Sequence, residues 1–212
     1  VLVEWLNVSA GADVAVDFGY LNRELLDQGY IYVGVSAQVV GHQKAKELDP
    51  TRYESMVHPG DEYSYDIFTQ AGRAVIANEL FADDYVVEKV IADGESQSAG
   101  RMVTYINAIE PLTDVYDGFL VHSRAAFALP LAAPGTAADL ASAFGAAPPL
   151  FRTDGDAPVL DVQSESDVIG LLNSIKVRQP DTDQFRLWEV AGTAHADAHL
   201  VGPTTGALDC GA

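Results

Sequence analysis

Several things are scarce in this 212-residue chain, and each scarcity excludes something. A single cysteine, Cys210, rules out an internal disulfide and any cysteine-cluster metal site. Lysine and arginine total 12 against 31 aspartates and glutamates, a formal net charge of -19. Such a field repels phosphates and argues against a nucleic-acid or anionic-membrane surface. No run of about 18 apolar residues is present, so no membrane-spanning helix is expected. There is no initiator Met and no signal-peptide pattern, and the first residues already read as a strand, which is expected of a segment cut from a longer chain. No compartment follows from these residues.

What is abundant is apolar residues, 48 % of the chain, enough to bury one sizeable core. The expectation is a single domain over residues 1–212. Val1 to Val8 (VLVEWLNV) reads as a buried strand that ends in a small-residue loop. Tyr20 to Gln28 places Leu21, Leu25 and Leu26 on one helical face before the stop signal Gly29, and Tyr30 to Gln38 reads as a second strand. Strand, helix and strand at these lengths form a βαβ unit. Further units come after it: a helix near Tyr65 to Leu80, a β-branched run from Val86 to Ile91 suited to a strand, a helix through Met102, Val103, Ile106 and Ile109, and a strand at Tyr116 to His122. The predicted class is therefore α/β, a doubly wound, mostly parallel sheet with helices on both faces. Residues 123–153 break the pattern with Ala, Pro, Gly and Leu and read as a lid-like insertion over the strand ends. Strands at Pro158 to Gln163 and Phe185 to Val190 close the pattern, with a helix-length segment between them at Val168 to Val177.

The stretch VVEKVIADGESQSAGRMVTYINAI brings strand, tight turn and helix together at Ser96. Gly94 precedes that serine, and the small residues Ser98, Ala99 and Gly100 come after it. One reading is that Ser96 simply caps the helix beginning near Gln97. The other rests on a resemblance: a serine on such a turn resembles the nucleophile elbow of the α/β-hydrolase family, with Ser98 where the pattern G-x-S-x-G has its last glycine. The wording of EWLNVS, GVSAQ, HPGDEYSYDIFTQAGRAV, GESQSAGRMVTYINA, DGFLVHSR and FRLWEVAGTAHAD also resembles one poorly characterised bacterial branch of that family, over nearly the whole chain. Members of that branch look longer at both ends, so the resemblance implies that strands before Val1 and a helix after the histidine loop are missing.

Open parallel sheets place their sites at the carboxyl ends of strands. After PVLDVQ comes Ser164-Glu165-Ser166-Asp167, and after FRLWEV comes Ala191-Gly192-Thr193-Ala194-His195. The order serine, acid, histidine is the one the family uses. The resemblance thus implies Ser96 as nucleophile, His195 as base and Asp167 as acid, three residues past the small residue that ends its strand. Glu165 is the alternative acid, and whichever carboxylate does not engage His195 is expected to cap the next helix or turn to solvent. For the oxyanion the family supplies two backbone donors, here Gln97 and one from the loop after the first strand, Val8 or Ser9. No histidine-glycine signature stands there.

Candidate pocket residues are Phe127, Leu129 and Phe144 in the insertion, Tyr63 in the polar and aromatic cluster that His58 opens, and His122 at its strand end. His195 and His199 stand four apart in HADAH, a spacing that could hold a metal on a helix. Gly192 before and Gly202-Pro203 after argue for a loop, no third ligand is evident, and no metal or cofactor is expected. His42 comes after a strand in a polar loop and points to nothing. The expected activity is cleavage of a small-molecule carboxylic ester through an acyl-enzyme. Thioester cleavage and acyl transfer use the same chemistry. A non-catalytic binding domain on the same scaffold is the alternative of a different class.

Overall fold

The computed structural model describes residues 1–81, 85–135, 143, 146–170 and 172–201. Six parallel strands form its sheet: β1 (Leu2–Trp5), β2 (Tyr32–Val35), β3 (Ile91–Glu95), β4 (Gly118–His122), β5 (Val159–Ser164) and β6 (Phe185–Val190). Their spatial order is β2-β1-β3-β4-β5-β6, and every pairing is parallel. From β1 the chain first winds outward to β2 and then returns to lay β3 on the other side. The loops after β1 and β3 therefore diverge, and the crevice at this switch point is where an open α/β sheet binds its ligands.

Alternate side chains of β3 leave opposite faces of the sheet. On one face Ala92 and Gly94 meet α5 (Gln97–Thr104), which packs with α4 (Ser64–Ile76), the helix that comes after α2 (Val39–Leu48) and α3 (Pro50–Tyr53), over the main apolar core. Trp5 and Phe68 lie 5.0 Å apart there, and Phe68 also meets Tyr105 and Tyr116 at 5.5 and 5.1 Å. The buried phenols are satisfied: Tyr65 donates to Leu129 O and Tyr116 to Phe68 O. Burying an aromatic ring strengthens a core only when its polar end finds a partner, as here.

The opposite face, toward α1 (Val16–Asp27), is acidic. Glu4 accepts the backbone N–H groups of Asp17 and Phe18 at 3.1 Å, so a carboxylate sits at the positive end of α1. Burial first, then the neighbouring Asp17 and Glu4 charges, raise Asp93 well above the ordinary aspartate value.

Several local expectations are corrected. The β-branched run Val86 to Val90 lies ahead of the strand, and the chain pairs only from Ile91, through the polar IADGE. Parallel pairing with β1 and β4, rather than apolar content, fixes that register. The segment Val168 to Val177 is not one helix. α7 (Glu165–Ile169) stops at Gly170, where an added Cβ would meet Ser166 O, and a 3₁₀ turn (Ser174–Val177) starts after Asn173, which has φ 51°. α5 passes into a π-helical turn at Tyr105–Ile109, then α6 (Glu110–Thr113). The described part of the insertion runs from β4 back alongside α5 to the start of α4: Leu129 N donates to Gly100 O and Gly135 N to Glu62 Oε1. It returns past the π-turn, where Asn107 bonds Leu150 O and Arg152 N.

Candidate active site

Ser96 ends the β3 turn with φ 56° and ψ -110°, a conformation that a residue bearing a Cβ rarely adopts. The fold holds it there by close packing beneath. An added Cβ on Gly94 would come within 2.9 Å of Ser98 O and Met102 Cγ, so only glycine lets α5 approach β3 this closely. Ser98, in the place of the motif's last glycine, is fully buried, and its hydroxyl has no partner among the described residues. Ser96 does precede the first residue of α5, but its hydroxyl caps nothing. It lies 2.9 Å from His195 Nε2.

His195 Nδ1 in turn lies 2.8 Å from Asp167 Oδ1. The other oxygen of Asp167 accepts from Ser164 N and from Ser123 Oγ, both at 2.7 Å. The carboxylate that does not engage His195 is expected to cap the next helix or turn to solvent; Glu165 is exposed, while facing the histidine and capping the helix both fall to Asp167. Asp167 uses one oxygen for each, in a capping box with Ser164 at the start of α7. Glu165, the alternative acid, instead accepts Gly192 N at 2.8 Å and fixes the glycine turn that delivers His195.

Burial pushes Asp167 up, but its hydrogen bonds with His195, Ser164 and Ser123 outweigh this and leave its pKa below the ordinary aspartate value. The bond to Asp167 raises the His195 pKa, burial opposes, and the Glu95 carboxylate adds to the rise. A histidine so poised can take a proton from a hydroxyl at neutral pH, and the acid behind it steadies the charge it acquires.

In the loop after β1, Asn7 spans the crevice, donating from Nδ2 to Glu95 O and to Glu95 Oε2, both at 3.0 Å. Its Oδ1 accepts from Ser9 N at 2.8 Å, so of the two donors expected here Ser9 is already committed. Val8 N faces Gln97 Oε1 across 3.5 Å, a long contact that is readily exchanged. Gln97 is the first residue of α5, so its N–H has no carbonyl one turn back. Its side chain is anchored through Nε2 to Gln38 Oε1.

Of the pocket candidates, His122 lines a cavity of ≈ 200 Å³ together with His195, Tyr20 and Asp197. Its Nδ1 is 2.6 Å from Asp17 Oδ1. Leu129 is corrected to an interior residue: it is 1 % exposed, stacked against Gly100 beneath the turn, and its carbonyl is taken by Tyr65 and Thr104. Phe127 is half-buried and Tyr63 about half exposed at the start of α4; neither lines that cavity. Phe144 lies outside the described residues. Larger cavities, of ≈ 350 and ≈ 420 Å³, open at the amino ends of the strands, away from the serine. His199 Nε2 meets Gly19 O at 3.1 Å and its ring stacks on Tyr20, so it shares no ligand position with His195. His58 Nε2 meets Ala37 O, and its ring packs against His42.

Sequence reasoning missed Ser123, Asn7, Asp17 and Glu95. The one legible signal was the acidic residue directly before Ser96 in an otherwise buried strand. The others reach the site only through the sheet order.

The sequence pattern of a known family, described as an alpha/beta hydrolase domain, matches residues 1–209. No curated protein matches the chain.

Proposed function

From the premise that the chain belongs to the alpha/beta-hydrolase domain family, we propose that it is a serine hydrolase that cleaves a carboxylic ester through an acyl-enzyme. The observation that supports this reading is the unbroken run of contacts from Ser96 Oγ to His195 Nε2 and from His195 Nδ1 to Asp167. An unaided serine hydroxyl is a poor nucleophile at neutral pH. His195 takes its proton as Ser96 Oγ bonds to the ester carbon. Asp167 keeps the proton of His195 on Nδ1 and stabilises the imidazolium without itself being protonated. The carbonyl oxygen, now negative, is received by the N–H groups of Gln97 and Val8, the second of which turns from Gln97 Oε1. The intermediate collapses, the C–O bond to the alcohol breaks, and the alcohol leaves with the proton from His195 Nε2. Water then repeats the sequence and frees the acid. The side chain of His195 is 32 % exposed, which leaves water access to the acyl-enzyme.

The test is turnover of a short-chain activated ester. Ser96→Ala and His195→Ala should each lower kcat by about a thousandfold or more at unchanged melting temperature. Retention of most activity in either variant contradicts the assignment.

A further inference from the structure

Glu95 is 4 % exposed and immediately precedes Ser96, on the face of the sheet opposite the main core. Oε2 is held by Asn7 Nδ2 at 3.0 Å, while Oε1 lies 3.6 Å from His195 Nε2. Among the described residues no lysine or arginine pairs with it. A buried carboxylate without a cation is costly unless it is neutral or its charge meets a positive partner. Among the described residues, the groups near it that can become positive are His195, from the loop after β6, and His122, from the end of β4. His122 already bonds Asp17 of α1. The other titratable groups facing this position are acidic or phenolic: Asp17 and Tyr20 of α1, Asp167 behind His195, and Asp197 bonded to Tyr20.

We propose that Glu95 is a second carboxylate partner of His195, flanking Nε2 by charge alone while Asp167 bonds Nδ1, and that it stabilises the imidazolium formed when Ser96 gives up its proton. The inference rests on the serine-hydrolase reading above. The distance suits the role. At 3.6 Å an ionised carboxylate stabilises a positive ring by Coulomb attraction, yet it is too far to hold the Nε2 proton in a hydrogen bond. That proton stays available to the departing alcohol. Burial pushes Glu95 up to about 7, with His195 drawing it back down, so its ionisation is tied to the charge on the ring it faces. Glu95 is in this sense a positioning residue for charge, acting through His195 rather than on the ester.

The test is Glu95→Gln, which keeps an oxygen for Asn7 and removes the charge. The His195 titration is tracked by NMR alongside the pH profiles of kcat and kcat/KM. The loss of a negative neighbour should lower the His195 pKa by about half a unit or more, shift the acid limb of kcat/KM to lower pH, and cut plateau kcat by about tenfold. KM for a neutral ester should change by less than about twofold. Glu95→Asp, which keeps the charge but withdraws it, should fall between the two. An unchanged His195 titration in Glu95→Gln of wild-type melting temperature overturns the proposal, as does equal loss in Glu95→Asp and Glu95→Gln. Failure of the underlying reading looks different: Ser96→Ala would retain activity whatever the titration of His195.

Discussion

The carboxylate of Asp167 that meets His195 is gripped from behind by Ser123, whose hydroxyl donates to Oδ2 at 2.7 Å. Ser123 directly follows β4, with φ 56° and its N–H bonded to Val162 O, so the neighbouring strand supplies the clamp on the acid that β5 delivers. Ser123→Ala removes one of the bonds that keep Asp167 ionised and aligned. We expect a loss of about 1 kcal/mol in stability and a fall in kcat of roughly three- to tenfold, read by denaturant melts and steady-state kinetics. Unchanged kcat would mean that Ser164 alone holds the acid.

Asp167→Asn should separate the two tasks of this residue. Its amide oxygen can still accept from Ser164 and Ser123, while its NH₂ turns to His195 Nδ1 and imposes the wrong tautomer. A defect of this kind costs on the order of 10⁴ in kcat where a serine triad is established. We expect a similar loss at nearly normal melting temperature, and a lowered melting temperature in Asp167→Ala, which also loses the helix cap. Glu165→Gln should lower kcat little, because its bond to Gly192 N survives. The reverse order in the two amide variants would move the acid to Glu165.

The pH dependence has a definite sign. The bond to Asp167, with the Glu95 charge, raises the His195 pKa, and the base works only when neutral. The acid limb of kcat/KM should therefore lie above the ordinary histidine value of about 6.5. For stability, the raised His195 contributes fully below about 6.5 and loses its contribution as pH rises through its folded value. Asp167, whose pKa is depressed, contributes above about 3.9 and loses this as pH falls through its folded value. Stability of Asp167→Asn should consequently fall less steeply than wild type below about pH 4. A parallel fall in both proteins would deny Asp167 this role.

Ser98 tests the packing account of the turn. Its buried hydroxyl has no partner among the described residues, and leaving such a group unsatisfied costs about 1–3 kcal/mol. Ser98→Ala should be neutral or stabilising, with activity kept. Gly94→Ala should destabilise and lower kcat together, because backbone at Ser98 cannot yield to a Cβ. Thermal midpoints and kcat of the two variants check both statements.

Much of this arrangement was legible in the sequence because the sheet is parallel. In a parallel sheet all the carboxyl ends point the same way, so the turns after PVLDVQ and FRLWEV had to bring Asp167 and His195 to the edge that carries Ser96. The start of β3 was misplaced because Val86 to Val90 has strand composition but lies ahead of the ladders, whereas polar IADGE lies between β1 and β4. Asn7 and Ser123 were illegible for a related reason. They reach the site across strands, and a spatial order that puts β3 between β1 and β4 is not written in any one segment. Leu129, expected in a pocket wall, lies in the interior, since Leu, Phe and Pro content says that a segment is buried but not against what.

The central claim is that Ser96 is a nucleophile activated by His195, and the most direct test is covalent labelling of the intact protein by a fluorophosphonate, read out by mass spectrometry. We expect one adduct per chain, located on Ser96, absent in Ser96→Ala and slowed by a factor of about a thousand in His195→Ala. Well-folded protein that takes up no label, or a label that persists in Ser96→Ala, would contradict the account.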